Sequence, residues 1–561
     1  MNQGQRLPTM DDRERGRLAL SLPDPPSRLR GRNQSFFLFR RLGANGTNLL
    51  RLPIRGRRIR WLPGSHDYNA DVSKMRLHSP AMRSHRGWPF FAMLALCGAA
   101  CSSSTESEQS NAVELVGTPG EAEFPELEAG EEPDLSVLGT AERAVIEQAE
   151  ARAEALRTRA LEIRAPAGTE IRIELVRHGF PIGVAIELRK FQSSEDLEWY
   201  SQIASRYFNF AVLESEAKWK VTGPEPGVRD YSQTEPVLTW GEAWDLDIKG
   251  HVLVWGNGPP LSSSGVPDWV LERFPTPELS ETEREELSGL LEEHVRDSVA
   301  QFSGRIPVWD ITNETLQPLA QWFIARLGPE VTIEAFGWAD EEDPEATLVM
   351  NEWISEVFTG IGGPSAPDIR DRLLELRDAG VPVEAVGIQG QFTPATAHLG
   401  PGADVSNRTP LDAYARALDT ISEAGVPIHV TEINVFTPED QEVRAAHLSG
   451  AMRIWWGHPG VAQFGFWSLW DGVSGKKDYD VGLYDDDKQI TPMGKAVMHL
   501  LNDRWRTRAV ETLGTEGRLS LRAAAGDYLV QWTVDDQSFF AEFTLPSGEE
   551  PVVMELVGTS E

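Results

Sequence analysis

The chain has 561 residues, 40% of them hydrophobic, with a formal net charge of −33, 18 Trp and two Cys. That length exceeds one ordinary core and suits two or three domains. The charge argues against nucleic-acid binding, which needs Lys and Arg to neutralise phosphates. Two cysteines make no disulfide framework, and the 11 His show no HExxH-type metal spacing.

Residues 1–81 are Arg-rich, without a sustained period, and no structure is expected there. From Met82 runs MRSHRGWPFFAMLALCGAACSSS, with Arg83 and Arg86 ahead of an apolar run from Trp88 to Ala100. This reads as a secretory signal over 82–101, too short to span a membrane. A signal should begin a chain, so residues 1–81 read as a non-native extension and Met82 as the start. Small residues before Cys101 point to a lipoprotein signal with Cys101 acylated, although Gly98 stands where such signals usually carry Leu. Cys97 and an ordinary cleaved signal are the alternatives. Residues 102–140, rich in Ser, Glu, Pro and Gly, are expected to be an acidic disordered linker.

A helix is predicted over Ala141 to Ala160, then two short β runs split by Pro-Ala-Gly, forming a leader over 141–180. Strand-like runs then alternate with helix-length segments: 182–186, 208–214, 250–255, 306–311, 347–351, 385–389, 427–432 and 464–468. Eight such units over 181–502 predict an α/β fold, a (β/α)8 TIM barrel, with a doubly wound sheet as the alternative. Residues 503–561 alternate apolar and polar and predict a small C-terminal antiparallel β unit docked on the barrel.

A barrel places chemistry at the C-terminal ends of its strands. There the sequence has Glu214, Trp255, Asn313, Glu314, Gln389 and Glu432. Hydrolysis of a glycosidic bond with retention needs one carboxylic acid to protonate the leaving oxygen and one carboxylate to attack the anomeric carbon, about 5–5.5 Å apart. Glu314 and Glu432, closing the fourth and seventh runs, suit that pair. A lone Glu after a strand is otherwise a helix N-terminal acid favoured by the dipole.

Six segments in order carry a resemblance: ESEAKW, KGHVLVW, VWDITNE, AVGIQGQF, HVTEINV and FGFWSLWDG. Together they resemble family 10 glycoside hydrolases, mainly retaining endo-β-1,4-xylanases on a (β/α)8 barrel. The flanking HGFPIG and GDYLVQWT resemble the plant-type branch. The resemblance implies Glu314 as acid/base, Glu432 as nucleophile and Asn313 on the sugar 2-hydroxyl. It further implies Glu214, Lys218 and His251 on hydroxyls of the non-reducing side, Trp255 and Trp467 as aromatic walls, and Gln389 beside the nucleophile. In the family a His bonds the nucleophile and an Asp holds that His; Gln391 and Asn434 stand in those places, and are expected to form a coupled neutral pair with Gln391 donating to Glu432. Ser215 replaces the usual Asn, Gly256 follows Trp255 where many members have a second His, and the loop after Trp470 lacks a second Trp.

The expected ligand is xylan or a related β-1,4-linked polysaccharide. No cofactor is expected, because no GxGxxG follows a strand and there is no P-loop. A monomer is expected, secreted or held at the cell envelope. A barrel glycosidase on another β-linked polymer and a non-catalytic xylan-binding protein are the rival readings.

Overall fold

The computed structural model describes residues 112–558 apart from 258–264, 319, 360–362, 395–408, 437–439 and 476–478. The expectations for 1–81, for the signal over 82–101 with Cys97 and Cys101, and for the start of the 102–140 segment lie outside the described residues.

Strands β1 (Val113–Pro119), β2 (Thr158–Arg164) and β3 (Glu170–His178) precede the barrel. The next nine are β4 (Ile182–Ile186), β5 (Phe210–Leu213), β6 (Asp247–Gly250), β7 (Val308–Asn313), β8 (Thr347–Glu352), β9 (Phe358–Thr359), β10 (Ala385–Pro394), β11 (Ile428–Val435) and β12 (Val461–Phe466). All but the short β9 form one parallel ring that closes through the β10–β11 and β12–β4 pairings, giving the (β/α)8 barrel. These strands read as nearly continuous apolar runs because both faces are covered, by the packed interior and by the outer helices. Local signals fix the helices: in the helix Glu281–Phe302, Ser280 and Glu283 make a reciprocal cap that satisfies two otherwise orphaned N–H groups. One expected strand is shorter than its run. Regular pairing of β6 stops at Gly250, and residues 251–256 follow β7 only through backbone bonds such as Val254 N–H to the Ile311 carbonyl, 2.9 Å.

After the barrel come β13 (Arg508–Thr512), β14 (Arg518–Ala524), β15 (Gly526–Val534), β16 (Gln537–Leu545) and β17 (Val552–Gly558). They join β1–β3 in one eight-stranded sheet, ordered β13-β3-β15-β16-β1-β17-β2-β14, so the leader and the C-terminal unit are parts of one body. Leu161, Ile173, Tyr528, Val530 and Trp532 form its core, separate from that of the barrel. Most pairings are antiparallel, but β1–β17 and β17–β2 are parallel.

This corrects the reading of 102–140 as a disordered linker. From Val113 the segment is a strand in the middle of the sheet, with Leu115 buried in its core. Downstream it is strapped to the barrel. Glu128 N–H donates to the Tyr207 hydroxyl (2.6 Å), Glu131 N–H to the Lys495 carbonyl (3.0 Å), and Glu132 pairs with buried Arg453 (3.0 Å). The acidic composition suggested solvation, but cations on the barrel neutralise some of those charges and the strand's partner lies at the other end of the chain.

The β body sits at the N-terminal end of the barrel strands. A cavity of about 510 Å3 between the two is lined by Phe180 and Pro181 at the start of β4, Pro427 and Val461 at the starts of β11 and β12, and Pro546 from the sheet. The opposite, C-terminal rim is left to the polar residues.

Candidate active site

Glu314 follows β7 and Glu432 lies within β11, and both backbones take positive φ, 57° and 53°. Non-glycine residues in that region carry strain of order 1–3 kcal/mol, sustained where the surroundings over-determine them. Here they do. The Glu314 N–H donates to the Asn351 carbonyl at 2.9 Å, and the peptide of Gln317 closes back on the Glu314 carbonyl at 3.0 Å.

A chain of amides connects the two carboxylates. Glu314 accepts from the Trp255 indole N–H and from Gln389 Nε2, both at 3.0 Å. Glu432 accepts from Asn351 Nδ2 at 2.9 Å and from Gln391 Nε2 at 2.7 Å. Asn351 also donates to Asn313 Oδ1 at 2.7 Å and receives the Thr431 hydroxyl at 2.7 Å, so three bonds fix the orientation of its amide. Room for it comes from Gly387 on β10: a Cβ there would lie 2.2 Å from Asn351 Oδ1.

The electrostatics follow from burial. Glu432 is only 8% exposed, and burial, then the Glu314 charge, raise its pKa to about 8, against the pull of Asn351 and Lys218. Glu314 is the more open of the two.

The other expected site residues line one flank. Lys218 Nζ lies 4.8 Å from the Trp255 ring centroid, a cation–π contact; burial lowers its pKa, with Glu214 opposing. His251 is buried and its pKa falls to about 4 through desolvation. Its Nδ1 lies 2.9 Å from Asp310, which Lys249 also holds at 2.8 Å, so the neutral ring carries its proton on Nδ1. Trp467 packs edge-on against that ring, centroids 5.4 Å apart. Glu214 is engaged by Lys190 at 2.5 Å, and Lys190 reaches Glu187 at 3.0 Å.

Gln391 and Asn434 are register neighbours on β10 and β11. Asn434, however, is 2% exposed, and neither of its side-chain polar atoms has a hydrogen-bond partner among the described residues. Gln391 turns its amide to Glu432, as expected, and no hydrogen bond joins it to Asn434 among the described residues.

Sequence reasoning missed Asn351, Glu352, Lys190 and Asp310. The first two had a signal, since TLVMNE ends a barrel strand in Asn-Glu as VWDITNE does. Lys190 had none, because its partner Glu214 is remote in the chain. Among the described residues, no group of three or more His, Cys, Asp or Glu is placed to hold a metal ion.

The sequence profile of glycosyl hydrolase family 10 matches residues 172–500. Endo-1,4-beta-xylanase 1 of Arabidopsis thaliana is 25% identical over 365 residues, covering 65% of this chain and 34% of that protein. Endo-1,4-beta-xylanase B of Thermotoga neapolitana is 24% identical over 333 residues, covering 57% of this chain and 88% of the relative. Native xylanase 10B from Thermotoga maritima superposes with a TM-score of 0.47 at 26% identity, over 58% of this chain and 95% of that one. The chain thus spans about a third of the plant relative's length. With more than half of its residues matched by the family profile, the chain belongs to glycosyl hydrolase family 10.

Proposed function

We propose that the protein is a retaining endo-1,4-β-xylanase with Glu432 as nucleophile and Glu314 as general acid and base. The observation that carries this reading is the pair itself: two carboxyls on separate barrel strands, each held by two N–H donors and each within the other's field. A Glu432 oxygen attacks the anomeric carbon as the glycosidic C–O bond breaks, and Glu314 gives its proton to the departing oxygen. Water then attacks the same carbon, returns a proton to Glu314 and frees Glu432. Burial favours the protonated form of Glu432. Attack needs Glu432 ionised, and its two amide donors favour that form.

Asn313 is assigned to the sugar 2-hydroxyl. Glu214, Lys218 and His251 are assigned to hydroxyls of the non-reducing side, with Trp255 and Trp467 offering faces to the C–H side of the rings. The substrate class rests on the names of the relatives. We place the protein at the outer face of the cell, anchored through Cys101.

The test joins product analysis on linear xylan with a rescue. The wild-type protein releases short β-1,4 xylo-oligosaccharides. Glu432→Ala is inactive and regains turnover of an activated aryl xyloside with azide, giving the inverted glycosyl azide. Wild-type-like activity in that variant overturns the assignment.

A further inference from the structure

We propose that Glu352 is a positioning residue for the proton donor: a buried carboxyl at the tip of β8 that locks the turn carrying Glu314 into its catalytic pose. The inference rests on the reading of Glu314 as general acid.

Glu352 is fully buried. Its Oε1 accepts from the Thr315 hydroxyl at 2.9 Å and from Leu316 N–H at 3.1 Å, the two residues directly after Glu314. Three successive residues of β8 and its continuation therefore hold one turn. The Asn351 carbonyl takes the Glu314 N–H, the Glu352 carboxyl takes Thr315 and Leu316, and the Trp353 carbonyl takes Gln317 Nε2 at 3.1 Å. Glu314 sits at φ 57° within this turn, a conformation a glutamate adopts only where its surroundings hold it, and these bonds reinforce the turn's own bond from Gln317 N–H to the Glu314 carbonyl.

Alternation along β8 divides the work. Asn351 points its amide at Glu432 and Asn313, and Glu352 points to the turn behind Glu314, as successive residues of a strand face opposite sides. The tip of one strand thereby sets the placement of both carboxyls, whose separation the reaction requires.

The protonation state fits a structural acid. Glu352 Oε2 is buried with no hydrogen-bond partner among the described residues, a poor place for a negative charge. Burial pushes the pKa up to about 8, and the Glu314 charge adds to this against the bonds from Thr315 and Leu316. The neutral form supplies the accepting oxygen without adding a third charge to the site.

The experiment compares Glu352→Ala, Glu352→Gln and Thr315→Val with Glu314→Ala on two substrates. Xylan needs a protonated leaving group, and an aryl xylobioside with a good leaving group does not. Misplacing a donor by about 1 Å costs on the order of a hundredfold. Glu352→Ala is expected to lose about that factor in kcat/KM on xylan and under about fivefold on the aryl substrate. Glu352→Gln, which keeps the acceptor, restores most of the loss. Thr315→Val, which removes one of the two donors and is the milder change for folding, shows a smaller split in the same direction. Equal losses on both substrates for Glu352→Ala, a Gln variant as damaged as the Ala variant, or a Thr315→Val variant with no split would each overturn the proposal. Glu314→Ala separates the two claims: if it shows the split and the Glu352 and Thr315 variants do not, the positioning fails alone; if it shows none, the acid assignment fails and the positioning with it.

Discussion

The two ends of the barrel are built on opposite principles. At the C-terminal rim, carboxyls are buried beside one another, backbones are held at positive φ, and amides spend their hydrogen bonds on charge. At the N-terminal end, a sheet assembled from both chain termini buries its own apolar core and meets the barrel through prolines and aromatics. Burying charge is unfavourable unless it is paired, whereas burying aliphatic surface is favourable at about 25 cal/mol per Å2. The rim is therefore expected to trade stability for chemistry, and the floor to supply it.

The largest effect that sharpens this contrast is at Glu432. Glu432→Gln removes the buried charge and the repulsion with Glu314. It should abolish hydrolysis while raising the melting temperature at pH 8.5, because the native state no longer has to ionise a group whose pKa is about 8. Differential scanning calorimetry beside an activity assay checks both halves. A variant that is inactive and also less stable would break the contrast.

The converse is expected at the floor. Leu115→Ala empties part of the sheet's core at a strand contributed by the N-terminal segment and should cost about 2–4 kcal/mol of stability. The site is remote from the rim, so kcat/KM of the folded protein should stay within about twofold. Denaturant unfolding and initial rates measure the two quantities.

A smaller effect is a slope. Glu352 and Glu432 have native pKa values near 8, and Glu216 and Asp471 near 7, all raised chiefly by burial. Between about pH 4.5 and 8 the folded state binds more protons than the unfolded chain, so stability is fully present at the acid end and is lost as pH rises through 7 to 8. Glu352→Gln should flatten that slope, read as melting temperature from pH 5.5 to 8.5.

What was legible in the sequence divides along the same line. The barrel strands were readable because each is a local apolar run, and the carboxyls because each ends such a run inside a motif. The leader and C-terminal strands of the β body were readable too, but not their union in one sheet through the strand at Val113, since Val113 pairs with Met554 and nothing near residue 113 announces a partner so far along the chain. Asn351 and Glu352 were passed over although their strand was found. Their function lies in where side chains meet across strands, which no spacing along one segment reveals.

The smallest effect concerns Gln391 and Asn434, where resemblance suggested one network and the geometry shows two independent amides. Gln391 donates to Glu432 at 2.7 Å, and Asn434 is buried with neither polar atom bonded among the described residues. Replacing a buried polar group that has no partner by an apolar group of similar size is neutral or stabilising. Asn434→Leu is therefore expected to leave stability unchanged or slightly higher. Gln391→Met removes a donor from a buried carboxyl, which raises the Glu432 pKa further and slows attack by lowering its ionised fraction. If the two act separately, the double variant equals the sum of the singles to within about 0.5 kcal/mol in transition-state stabilisation. A coupling above about 1 kcal/mol would mean that Asn434 and Gln391 act together during the reaction, and their independence would have to be given up.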